Sequence, residues 1–292
     1  MRFFVVAALL GAAALTSADQ RENRERGILV SVTTSADAPV TDMAAADFVV
    51  RENGVAREVV RVSPAPPPSH VVLLVDDSQA LQANVPYIRP ALTMAIGRFA
   101  ALTPGPQMAL YTFGERPTRR VDFTPNPDQI LDTVKRLFPL TGSGAYFLQA
   151  ITDVCRDLRK REAASPVIVA FVAEAGPEFS SELHSQIADA LRGAGASLWA
   201  VTLQQGAQSP NAPAIRERSA VLGDVVAHSG GVNKVILSGQ SIENGFKTIT
   251  TMIDSRYLVT YGRPDSMIPP EKIEVTSRRR DVRVRASRWA GK

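Results

Sequence analysis

A doubly wound α/β domain, its mostly parallel sheet covered on both faces, is the fold class this sequence predicts, and three observations carry it. First, long apolar runs recur at His70–Val75, Met108–Phe113, Pro166–Ala173 and Ser197–Leu203, too continuous for strands with one wet face. Second, stretches with apolar residues at helical spacing separate those runs, which is how a parallel sheet is crossed over. Third, shorter strands with polar residues at alternate positions lie at both ends of the chain, predicting a small β-sandwich-like unit built from the two termini.

The chain has 292 residues, 45% of them hydrophobic, enough for one large domain or a large and a small one. A formal net charge of +4 is modest for this length and gives no polycationic surface for nucleic acid. Residues 1–18 open on Arg2, run apolar from Phe3 to Leu15 and end on Thr16, Ser17 and Ala18. That pattern predicts a secretory signal peptide cut after Ala18 and a secreted or periplasmic protein. The run falls short of the ~20 apolar residues of a spanning helix, and no later stretch reaches that length, so no integral membrane segment is expected after cleavage. Cys155 is the only cysteine, on the apolar stripe of a helix with Phe147, Ile151, Val154 and Leu158, and is expected to be a buried, inert thiol.

In chain order, Ile28–Thr33 alternates as a strand does. Phe48–Arg51 and Glu58–Val62 predict two more strands joined around Glu52-Asn53-Gly54, where Asn-Gly suits the positive φ angles of a tight turn. The proline run Pro64–Pro68 then marks a boundary. A helix carrying Leu92, Ile96 and Phe99 precedes Met108–Phe113, and a short strand around Val121–Phe123 follows. Asn126 and Pro127 open the next helix, with Ile130, Leu131, Val134 and Leu137 facing inward. Ser143 is the expected cap of the Cys155 helix, and Ser180 or Ser181 that of the helix carrying Leu183, Ile187 and Leu191. A helix from Pro213 to Gly230, a strand over Val232–Leu237 and a helix through Ile242, Phe246, Ile249 and Ile253 complete the alternation. Tyr257–Tyr261, Lys272–Thr276 and Val282–Ala286 are the last strands. The expected division is 19–66 as an amino-terminal β-unit, 67–263 as the α/β domain, and 264–292 as strands packing with 27–62.

The stretch HVVLLVDDSQA, His70 to Ala80, delivers Asp76, Asp77 and Ser78 to the carboxyl end of a buried strand, the edge at which open α/β sheets bind ligands. Paired acids there suit a phosphate-accepting receiver domain. That reading fails, because Met108–Phe113 ends in Gly114-Glu115 and Ser197–Leu203 in Gln204-Gln205, without the required aspartate and lysine. No Gly-rich phosphate loop and no G-x-S-x-G elbow is present, and His70, His184 and His228 are scattered.

Written Asp76-x-Ser78-x-Ala80, the motif resembles the DxSxS of the von Willebrand factor type A domain. SGAYFLQAI, Ser143 to Ile151, resembles that family's second loop, GGTxLxxAI. PVIVAFVAEAG resembles the strand leading to its third loop, usually ending Ser/Thr-Asp-Gly. The flanks VTDMAAADFVVRENGVAREVVRV, SRYLVTYGRP and DVRVRASRWAG are similar to segments of an exported bacterial group related to this domain. The resemblance implies a metal-ion-dependent adhesion site formed by three loops. Here Asp76 and Ser78 remain as metal ligands, Ala80 and Ala145 replace two hydroxyl donors, and Glu174 stands for the third-loop aspartate. A magnesium cage is thereby incomplete, so no cofactor is expected; Asp76 and Ser78 have a second reading as residues that cap the next helix and fix the loop.

The implied function is a non-enzymatic exported module that binds a protein partner through Asp76, Asp77, Ser78, Ser143 and Glu174 and the loops they sit on. The alternative is an envelope-associated assembly protein anchored by the arginine-rich end, Arg278 to Arg280 with Arg283, Arg285 and Arg288; those arginines also suit a solvated edge strand.

Overall fold

The computed structural model describes residues 25–205, 212–263 and 270–289, so the expected signal peptide lies outside the described residues. Four strands come first: β1 (Glu25–Thr33), β2 (Phe48–Glu52), β3 (Val55–Arg57) and β4 (Val59–Pro64). The central strands are β5 (His70–Val75), β6 (Gln107–Thr112), β7 (Thr118–Thr124), β8 (Val167–Ala173), β9 (Ser197–Leu203) and β10 (Asn233–Ile236). Helices α1 (Val85–Ala100), α2 (Pro127–Lys135), α3 (Phe147–Lys160), α4 (His184–Ala194), α5 (Pro213–Ala220), α6 (Val226–His228) and α7 (Ile242–Asp254) lie between and after them. A π turn over Val221–Val225 joins α5 to α6. Strands β11 (Tyr257–Gly262), β12 (Ile273–Ser277) and β13 (Arg283–Ala286) close the chain.

The central sheet has the order β10-β9-β8-β5-β6-β7. All its pairings are parallel except that of β6 with β7, which puts an antiparallel strand at one edge. Alternate residues of a strand face opposite sides. Val71, Leu73 and Val75 accordingly join one core with Ile88, Leu92, Ile130 and Phe246. Val72 and Leu74 join the other with Phe147, Ile151, Ile187 and Leu222. Cys155 lies in that second core, where burial pushes its thiol up to about 12 and leaves it unreactive at neutral pH.

The terminal strands form two antiparallel sheets, ordered β13-β1-β11-β4 and β12-β2-β3. The two late strands therefore do pair with the early ones: β13 with β1, and β12 with β2. Two details differ from the sequence expectation. The Asn53-Gly54 turn, with φ of 48° and 83°, joins β2 to the short β3, while β4 leaves to pair with β11. Strand β11, expected within the larger unit, runs between β1 and β4, and its buried Val259 and Tyr261 pack with Val30 and Val32.

Neither α3 nor α4 is capped by the serine expected for it. Helix α3 starts at Phe147, because Ala145 and Tyr146 donate their backbone N–H groups to Pro177 and Phe113. Helix α4 starts at His184, with Gln186 Oε1 accepting from the Leu183 N–H, while Ser180 Oγ accepts from Gln149. The Asn126 cap is as expected, its side chain accepting from the Asp128 N–H at 3.0 Å. Asn126→Ala removes that bond and should lower stability by about 1 kcal/mol, read as a lower urea midpoint with unchanged m-value.

Candidate functional site

Strand β5 has β6 on one side and β8 on the other, the point where the winding of the sheet reverses and a crevice opens at the carboxyl ends. Asp76 and Asp77 stand there, and they part to opposite sides. Asp76 Oδ2 accepts from Ala173 N at 3.1 Å, at the end of β8, and Oδ1 accepts from Ser78 N at 2.9 Å. Asp77 Oδ1 accepts from Gly114 N at 2.6 Å, just past β6, and Oδ2 pairs with Arg120 of β7 at 2.9 Å. Gly114 is required: a Cβ on it would lie 2.5 Å from the backbone nitrogen of Ser78.

Asp76, Asp77 and Ser78 are all 0% exposed. Burial raises Asp76 above the ordinary carboxylate value, opposed by the Ser78 side chain and the N–H groups of Ser78 and Ala173. Ser78 opens a short 3-10 turn, Gln79–Asn84, without a side-chain cap, and its Oγ makes no hydrogen bond of good geometry among the described residues.

The second and third loops close over these groups, Leu140 of the second bridging Ser78 and donating to Asp77 O at 2.8 Å. Ala145 and Glu178 form an isolated parallel bridge, with Ala145 N donating to Pro177 O and Phe179 N to Ala145 O, both at 2.8 Å. Gly144 leaves room for the Phe179 ring, whose atoms would come within 2.4 Å of a Cβ. On the other flank Gly176 comes so close that a Cβ on it would stand 3.1 Å from that of Ala80. Arg218 of α5, 1% exposed, holds the loop from beneath, donating to the carbonyls of Gly176 and Glu174 at 3.1 Å each.

Of the residues singled out in the sequence, Asp76, Asp77 and Ser78 form the centre. Ser143 turns back on its own loop, donating from Oγ to Leu140 O at 2.6 Å. Glu174 stands outside the cluster: it is half-buried, and its carbonyl is what Arg218 touches. The carboxylate that does enter is Glu178. Its Oε1 accepts from Phe147 N at 3.1 Å and Ser180 N at 3.2 Å, and its buried Oε2 has no partner among the described residues. Burial pushes it up to about 7, against the pull of Ser180 and Arg218, and the Asp76 charge adds to the rise. Nothing local in Pro177-Glu178-Phe179 marks it. Arg218 did leave a sign, since it falls on the apolar stripe between Ile215 and Leu222.

Among the described residues no group of three or more His, Cys, Asp or Glu is placed to hold a metal ion, and no helix is long and apolar enough to cross a membrane. Four large apolar side chains among the described residues are exposed on the loops at this end of the sheet. Phe138 is 64% exposed, Phe179 53%, Leu183 51% and Leu237 73%, all on loops that follow the carboxyl ends of strands or lead into the helices beside them.

A doubly wound sheet with an acid-Ser motif at its switch point, and two further loops closing over it, defines a domain of the α/β class with its candidate site at the carboxyl edge. The von Willebrand factor type A domain model matches residues 70–218, and the chain belongs to that family, whose domains typically mediate protein–protein interaction. Among solved structures it is similar to proximal thread matrix protein 1 of the mussel byssus, with 13% identity and a TM-score of 0.52 over 69% of this chain and 49% of that one. The aligned region thus spans about half of the mussel protein. The VWA domain of SpRpn10 aligns with 15% identity and a TM-score of 0.46, over 61% of this chain and 93% of that one. An aerotolerance-related membrane protein from Bacteroides fragilis aligns with 14% identity and a TM-score of 0.47, over 62% and 98%. No curated protein sequence matches this chain.

Because Glu178 titrates higher folded than unfolded, the native chain holds a proton between the ordinary carboxylate range and about 7 that the unfolded chain has released. Its contribution is fully present at low pH, is lost as pH rises through that window, and levels off above it. Glu178→Gln should flatten this slope, leaving the part due to Asp76, and raise stability at pH 8 by on the order of 3 kcal/mol, measured by denaturation from pH 4 to 9.

Proposed function

We propose that this chain is a non-enzymatic, exported binding module that holds a protein partner through apolar side chains exposed on the loops at the carboxyl edge of its sheet, without a metal ion. The observation that carries this reading is the inversion of exposure at the site. The acids and the serine are wholly buried, while Phe138, Phe179, Leu183 and Leu237 around them are exposed. A partner's carboxylate cannot reach a centre with no accessible surface; large apolar side chains exposed on loops are what interface cores are built from. Export rests on the leader pattern at Met1 to Ala18.

The donor set does not fit magnesium, which demands near-octahedral oxygen ligands. Ala80 and Ala145 bring no side-chain oxygen, and Asp77 is committed to Gly114 and Arg120. Asp76 already accepts two backbone N–H groups, and the buried guanidinium of Arg218 acts on Glu178 with the positive charge a cation would otherwise supply. The second reading, an anchor made by the terminal arginines, has less support. Arg279 is tied to Asp42 and Asp281 at 2.9 Å each, Arg285 donates to Thr33 Oγ1 at 2.9 Å, and Arg288 meets His228 Nε2 at 2.8 Å, so three of the six are engaged internally.

Two measurements test the proposal. The thermal midpoint should be the same in magnesium, manganese and chelator, since an ion bound only by the native state would raise it. Crosslinking capture of a partner from an envelope extract should persist in chelator and fall at least tenfold in Phe179→Ser/Leu183→Ser. Charge reversal at Arg278 and Arg280 should leave it unchanged; loss in that variant alone would favour the anchor.

A further inference from the structure

At the opposite end of the sheet, a cavity of about 140 Å³ lies where the first residues of β8 and β9 meet β1 and the end of α6. A single buried water needs only about 10–15 Å³, so the space takes a small polyatomic group. Among the described residues two arginines line it, Arg256 and Arg192, and no aspartate or glutamate does. Arg256 is 4% exposed; its Nε donates to Ile253 O at 3.0 Å, and its Nη2 has no partner among the described residues. Arg192 is half-exposed at the mouth, its guanidinium 5.5 Å from the centre of the Trp289 ring and 3.5 Å from the exposed Asp189. Ser197 Oγ accepts from Trp199 Nε1 at 3.0 Å, which leaves its own proton for another acceptor.

A guanidinium cannot shed its charge at neutral pH, so one removed from water without a counter-charge is a heavy cost that folds normally offset with an acid. Here the described residues offer none. We propose that this cavity is a binding site for a small oxyanion, held between the guanidinium groups of Arg256 and Arg192. The anion supplies the missing negative charge, and because Gly27–Leu29 of β1 and Ser197 of β9 both line the cavity, it also fastens the terminal β-unit to the central sheet. Burial, with no acid to oppose it, draws Arg256 down to about 10, consistent with a counter-charge missing from the protein itself.

The test uses the full chain freed of oxyanions by dialysis into sodium chloride. Phosphate, sulfate and acetate are then titrated at matched ionic strength, followed by calorimetry and thermal midpoint. At least one should bind saturably at one site per chain and raise the midpoint with its logarithmic concentration; which one does so separates a tetrahedral anion from a carboxylate. Arg256→Met should weaken binding at least tenfold and, without anion, melt no lower than the parent, because it removes an uncompensated buried charge. Arg192→Gln should weaken binding severalfold with the fold intact, and it decides the matter should Arg256→Met not fold. Absence of saturable binding by all three anions, or unchanged affinity in the variants that fold, overturns the proposal.

Discussion

The structure depends on one arrangement above the others: two adjacent carboxylates at the end of the central strand, each bound to a different neighbour. Asp76 ties β5 to β8 and Asp77 ties it to β6 and β7, so the four strands are held together at the edge where the winding reverses. Side chains of consecutive residues leave an extended strand on opposite sides, so only an adjacent pair can do this from one strand end. Charge-assisted bonds to backbone N–H groups are strong where water is excluded, which lets both acids stay buried.

With the acids committed inward, the loops above them are free to close. The backbone bridge between Ala145 and Glu178 brings the second and third loops together, and Arg218 anchors the third loop from α5. Small residues make closure sterically feasible, since Ala80 and Gly176 approach each other and Gly144 admits the Phe179 ring. Closing the centre turns the loop exteriors into the contact surface, and those exteriors carry aromatic and leucine side chains.

The terminal β-unit is the second organising feature. Its strands come from both ends of the chain, and β11 passes between β1 and β4 directly after the last helix, so the unit and the α/β layer share a continuous backbone connection. Where their surfaces meet, an arginine is buried with no acid beside it, a charge imbalance inside the molecule.

The sequence by itself determined the alternation of apolar runs and amphipathic helices, the position of Asp76, Asp77 and Ser78 at a strand end, and the presence of strands at both ends of the chain. Each is a local pattern, set by side-chain periodicity or by adjacency along the chain. What only the tertiary structure decided depends on loops meeting across space. Glu178 rather than Glu174 enters the cluster, because the bridge to Ala145 registers the third loop four residues further on. Ser143 turns back to Leu140 instead of capping α3, and Ser180 accepts from Gln149 in the first turn of α3 instead of capping α4, because the second and third loops are brought together. Strand β11 runs between β1 and β4, and Arg256 becomes a buried cation with no acid beside it among the described residues only when β1 and β9 are brought against it.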